Sequence, residues 1–151
     1  MIEIKERFDV PASPERVWGV LSDPQAVVGC VPGASIVGQD ADGALDTSVA
    51  VKFGPTRITF RAKAMLDLDE AARKGNISAQ GKDNIGGTRM RSTAQFGVTP
   101  GPGGSGSHVA IDGTVEVQGR MASLIEGGAS VVVKKMAGEF AERLAARCAQ
   151  A

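Results

Sequence analysis

The stretch RMASLIEGGASVVVKKMAGEFAERLAARCAQA, residues 120–151, decides the fold. Within it Met121, Ile125, Gly128 with Ala129, Val132, Met136, Phe140 and Leu144 recur every three or four residues, which lines them up on one face of a long helix. Almost everything before this stretch has the period of strands. Amphipathic strands followed by one apolar-striped helix predict a curved sheet closing around that helix. The space between sheet and helix is then the expected place for a ligand.

Working back from the helix, the first strand places Ile2, Ile4, Phe8 and Val10 on one face, with Glu6 among them. Glu6 has two readings: a strand edge that meets water, or a polar group inside a cavity. Ser13-Pro14-Glu15 starts a short helix, with serine as cap, proline in the first turn and an acid near the positive end of the dipole. Its buried face is Val17, Trp18 and Leu21. Asp23-Pro24 ends that helix and caps a second one through Val27, Val28 and Cys30.

Asp40-Ala41-Asp42-Gly43 is a hairpin signal. Leu45, Thr47, Val49, Val51 and Phe53 then alternate with polar or small residues. After Gly54-Pro55, Ile58, Phe60, Ala62, Ala64, Leu66 and Leu68 alternate with Arg57, Thr59, Arg61 and Lys63. Such alternation marks an antiparallel sheet with one wet face. A turn is expected near residues 72–75, a shorter strand over 76–80, and a strand carrying Met90, Ser92, Ala94, Phe96 and Val98 inward. Residues 100–107 predict a flexible glycine-rich tip. The last strand turns Val109, Ile111, Gly113, Val115 and Val117 inward. The prediction is a single α+β domain over 1–151. A curved antiparallel sheet of about seven strands surrounds a long C-terminal helix, and two short helices follow the first strand.

The chain has 151 residues, the size of one domain. Lysine plus arginine and aspartate plus glutamate each total 17, and the basic residues are dispersed, so no nucleic-acid partner is expected. Two cysteines, Cys30 and Cys148, make no disulfide framework and predict free thiols in a cytoplasmic protein. No signal peptide and no stretch of about 18 apolar residues is found. With five Phe, one Trp and no Tyr but 20 Gly, the core must be built from small side chains, which either pack backbones closely or leave a cavity.

Catalytic and metal patterns do not assemble. The lone His108 lies outward beside the glycine-rich tip, with no second histidine or Cys/His pair for zinc and no Gly-x-Ser-x-Gly elbow. Cys30 reads as a small buried hydrophobe. The inner faces hold Ala62, Ala64, Ser92, Ala94 and Gly113, with Gly127, Gly128 and Ala129 of the helix opposite them. This pattern allows close approach of helix to sheet, or an apolar cavity. The cavity reading predicts a lining of Ile58, Phe60, Ala62, Met90, Ala94, Phe96, Ile125 and Met136, and no metal or catalytic residue.

Several local words carry a resemblance. They are Phe8-Asp9-Val10-Pro11-Ala12, Val17-Trp18-Gly19-Val20-Leu21-Ser22-Asp23-Pro24, Cys30-Val31-Pro32-Gly33-Ala34, Val51-Lys52-Phe53-Gly54-Pro55 and Gly86-Gly87-Thr88-Arg89-Met90. Together with the element order they resemble the helix-grip, START-like (SRPBCC) superfamily, and within it the carbon monoxide dehydrogenase G-subunit family. The Trp-x-x-Leu-x-Asp-Pro word occurs across the superfamily; Cys-Val-Pro-Gly-Ala and Lys-Phe-Gly-Pro point more narrowly to the G-subunit family. The resemblance implies a non-catalytic accessory protein of a carbon monoxide dehydrogenase-type molybdenum hydroxylase. Such a protein is associated with membrane recruitment and carries a quinone or other lipid in its cavity. It also leaves two alternatives: a cyclase- or hydratase-type enzyme using Glu6, and an interaction subunit without ligand. Longer family members have a proline-rich extension and an apolar C-terminal anchor, whereas this sequence ends Cys148-Ala149-Gln150-Ala151. The expectation is therefore peripheral contact with the inner face of the cell membrane, through the glycine-rich tip or the region of Val27-Val28.

Overall fold

The computed structural model describes residues 1–149. Strand β1 (Ile2–Val10) leads into helices α1 (Pro14–Leu21) and α2 (Pro24–Cys30). Six strands follow: β2 (Ala34–Gln39), β3 (Leu45–Phe53), β4 (Thr56–Asp69), β5 (Lys74–Asp83), β6 (Thr88–Pro100) and β7 (Ser107–Gly119). Helix α3 (Ala122–Ala149) closes the described chain. The strands form one antiparallel sheet in the order β1-β7-β6-β5-β4-β3-β2, so the opening strand pairs with the last. This is the helix-grip arrangement the sequence predicts.

Local chemistry sets the helix starts. The Ser13 side chain accepts a hydrogen bond from the Arg16 backbone N–H, and Asp23 accepts one from Gln25, each followed by proline in the first turn. The single-residue alternation of β1 and β4 survives as alternating burial, because each strand turns one face to the apolar interior and the other to water.

Three differences from the sequence reading have physical causes. Strand β5 runs ten residues rather than five: Lys74-Gly75 and Gly81-Lys82-Asp83 have weak strand preference, but β4 and β6 on either side supply their hydrogen bonds. The glycine-rich tip contains a short 3-10 turn (Pro102–Gly104) closed by Gly101 N–H to Gly106 C=O, and the Ser107 hydroxyl donates to Ala12 C=O. Gly127 is exposed with nothing against it, so the sheet-facing positions of that turn are Gly128 and Ala129.

Apolar side chains collect in two clusters. The first joins Val10, Val17, Trp18, Leu21, Cys30, Phe96, Val98 and Val109 to Leu144 and Cys148 near the end of α3. Phe8 meets Phe140 edge-on at 6.1 Å, and the Trp18 ring lies 5.9 Å from Phe96. The Trp18 indole N–H donates to the Glu70 carboxylate. The second cluster joins Phe53, Ile58, Phe60 and Val117 to Ile125 near the start of α3.

Leu144 is fully buried. Leu144→Ala is expected to destabilise the domain by about 2–5 kcal/mol through lost burial and a residual cavity, measured by urea unfolding. Cys30 and Cys148 are both buried, and burial pushes both thiols up from their ordinary value, which keeps them protonated at neutral pH. Thiol-specific labelling at neutral pH should therefore be slow in the native protein and fast in denaturant; rapid native labelling would contradict this packing.

Candidate functional site

The inner face of the sheet changes character between the two clusters. Register aligns Ile4, Gly113, Ala94, Ile77 and Leu66 across β1, β7, β6, β5 and β4. The neighbouring row is Ile2, Val115, Ser92, Ala79, Ala64 and Leu45. At the centre of these rows stand glycine, alanine and serine. Gly113, Ala94, Ser92, Ala79 and Ala64 are half-buried and belong to neither cluster. These positions keep partial exposure, and their side chains are short.

Helix α3 lies mainly against β1, β7 and β3, with α1 and α2 over its C-terminal part, rather than against the central strands. It comes close at Gly128, where an added Cβ would lie 3.3 Å from the Phe53 ring. At Gly113 the crowding comes from the next strand instead: an added Cβ would sit 2.7 Å from Thr93 O and 3.0 Å from the Ala94 Cβ. The small residues of the sheet centre are thus not there to admit the helix.

The eight predicted lining residues divide between these environments. Ile58, Phe60 and Ile125 are buried together in the second cluster with Met90 packed against them, while Phe96 belongs to the first cluster under Trp18. Ala62 is buried on the same face, and Ala94 and Met136 are half-buried in the intervening zone. The structure brings four of the eight into direct company and spreads the others along the inner surface. Sequence reasoning missed Ala79, because the polar strand that carries it, with its flanking glycines, gave no clear inward face.

Glu6 does point to the inner face. It is half-buried, pairs with Ile111 and shares a row with Phe96 and Leu68. The Met1 amino group meets Glu126 at 3.5 Å and Phe8 meets Phe140, so β1 runs alongside α3 and Glu6 stands about level with Met136. Its carboxylate has no hydrogen-bond or ion-pair partner among the described residues. His108 lies outward, its Nδ1 2.8 Å from Asp9 Oδ1. Val27 packs on the first cluster rather than projecting from a loop. No described helix is long and apolar enough to cross a membrane.

Comparisons with known proteins agree with this architecture. The family model for the carbon monoxide dehydrogenase G-subunit (CoxG) matches residues 7–149. No curated protein compared with the chain matches it in sequence. Among solved structures, a conserved protein from Geobacillus kaustophilus superposes with a TM-score of 0.84 at 14% identity, covering 99% of this chain and 96% of its own. The Zhui aromatase/cyclase from a Streptomyces species gives 0.65 at 14% identity, covering 97% and 93%. Truncated norcoclaurine synthase from Thalictrum flavum gives 0.62 at 17% identity, covering 99% and 94%. At these identities the likeness is one of fold alone, the helix-grip arrangement described above.

If the central rows border unfilled space, extra methylenes there should be tolerated. Ala79→Leu is expected to change stability by less than about 1 kcal/mol, whereas Ala129→Leu, buried on α3, should cost about 1–3 kcal/mol by overpacking. Urea unfolding of the two variants compares them directly; equal penalties would show a filled centre.

Proposed function

Because the chain belongs to the carbon monoxide dehydrogenase G-subunit (CoxG) family, we propose that it is a non-catalytic accessory protein of a carbon monoxide dehydrogenase-type molybdenum hydroxylase. In this reading it holds an apolar small molecule, a quinone or another lipid, between the sheet centre and α3. One observation carries the reading: two packed apolar clusters anchor the helix, and between them lies a half-buried lining of small side chains. A flat ring system removing about 150 Å² of apolar surface from water there would gain about 4 kcal/mol before ordering costs. An isoprenoid tail would add to this along Val132, Val133 and Met136, which are half-buried on α3.

The ligand's reactive group needs no chemistry from the chain in this role. The protein's part is to shield the apolar body from water and present it to a partner oxidoreductase, at or near the membrane surface. Glu6 supports a second reading. It is a carboxylate on the inner face without a partner among the described residues, in a fold that also serves an aromatase/cyclase and norcoclaurine synthase. An enzyme of that kind would use it as a general base.

Titration with a short-chain ubiquinone, followed by quenching of Trp18 fluorescence and by calorimetry, tests the proposal. Saturable binding is expected in the wild type and in Glu6→Gln, with loss of about tenfold or more in Ala94→Asp, which puts a charge into the apolar lining. Unchanged binding in Ala94→Asp would count against this location. A turnover activity lost in Glu6→Gln would favour the enzyme.

A further inference from the structure

The outward face of the sheet carries a charge pattern that overall neutrality conceals. Arg61, Lys82 and Arg89 stand at directly paired positions on β4, β5 and β6, with Ser48 on β3 and Gln118 on β7 at the ends of the row. Adjacent strands are about 4.8 Å apart, so three cations stand in a line roughly 10 Å long on a rigid support. None of the three makes an ion pair with a described residue. Like charges placed directly opposite one another destabilise a sheet, so the row works against the fold rather than for it.

The row lies in a groove of about 600 Å³ on that outward face, which Lys63, Gln80 and Arg91 also line. Its cations outnumber its acids: Arg61, Lys63, Lys82, Arg89 and Arg91 face only Asp46 and Glu116, and Lys63 is already paired with Asp40. Acidic residues of the outward face gather toward the other end of β4, at Asp67 and Asp69. With a screening length of about 8 Å at physiological salt, a partner at the groove feels this local charge and not the chain's zero net charge.

We propose that this groove docks an acid-rich segment of a partner protein, with Arg61, Lys82 and Arg89 receiving its carboxylates. Three parallel stems on neighbouring strands offer charges in a line, which suits several carboxylates along one chain better than a single compact anion held by converging donors. Acidic residues at alternate positions of an extended segment repeat at about 6.6–7 Å, and those one turn apart on a helix at about 6 Å, so either presents two carboxylates to the row. The groove is concave and its floor lies below the charged tips, so a planar lipid surface would reach its rim and not its floor. The side chains of Arg61, Lys82 and Arg89 alternate with the inward-facing ones and leave the sheet on its other side, so docking and ligand uptake are separable.

Fluorescence anisotropy of a fluorescein-labelled octaglutamate peptide with the full chain tests the proposal. Saturable binding is expected at low salt, weakening as salt rises. Arg61→Gln/Lys82→Gln/Arg89→Gln should weaken it by about tenfold or more. Lys74→Gln/Lys134→Gln/Lys135→Gln, which removes the same charge elsewhere, should stay within about twofold of wild type. Ubiquinone binding should be unchanged in the first variant, so failure of the docking site is distinguishable from failure of the ligand site. Absence of peptide binding, equal loss in both triple variants, or binding only to anionic phosphatidylglycerol vesicles or to pyrophosphate would overturn the proposal.

Discussion

Helix α3 is clamped to the sheet at its two ends and spans the middle. Leu144, Cys148 and Phe140 fix one end among Val10, Phe8, Val109 and the helices α1 and α2, while Ile125 and Gly128 fix the other against Phe53, Phe60 and Val117. Both ends follow from where large side chains fall on the strands. A sheet with leucine and phenylalanine in every row would hold the helix along its length and leave nothing between. Here the central rows carry alanine, serine and glycine at their middle positions, which lie between the two clusters that hold the helix.

The two faces of the sheet have divided the work. The inner face is apolar, with short side chains at its centre and Glu6 beside α3 as a carboxylate that no described residue pairs. The outer face is polar, and its charges are grouped rather than dispersed: exposed pairs such as Arg7 with Asp112 neutralise each other, while Arg61, Lys82 and Arg89 are left together. Exposed ion pairs contribute little to stability. The arrangement of the outer charges therefore bears on what the protein meets more than on how it folds. The proposed accessory role would use both faces, one for cargo and one for a partner.

Much of this was legible in the residues. The stripe from Met121 to Leu144, the Ser13-Pro14 and Asp23-Pro24 starts and the alternation of β1, β3 and β4 each belong to one element and need no partner to be read. Features that depend on pairing were not legible. Strand β5 is carried by its neighbours, and the order within the glycine-rich tip comes from its own backbone hydrogen bonds and from Ser107 binding Ala12. The division of apolar residues into two clusters, which separates Phe96 from Phe60 and Ile58, requires the register of five strands. The same holds for the cationic row, because Arg61, Lys82 and Arg89 are remote in sequence and become neighbours only through β4–β5–β6 pairing.

Native mass spectrometry of the purified chain, followed by solvent extraction of anything it carries, decides whether an apolar molecule is held between the sheet centre and α3. A one-to-one adduct is expected, with an isoprenoid quinone or another lipid as the extracted component, present at once or after incubation with quinone. A mass equal to the polypeptide alone under both conditions would contradict it and leave an interaction subunit without cargo.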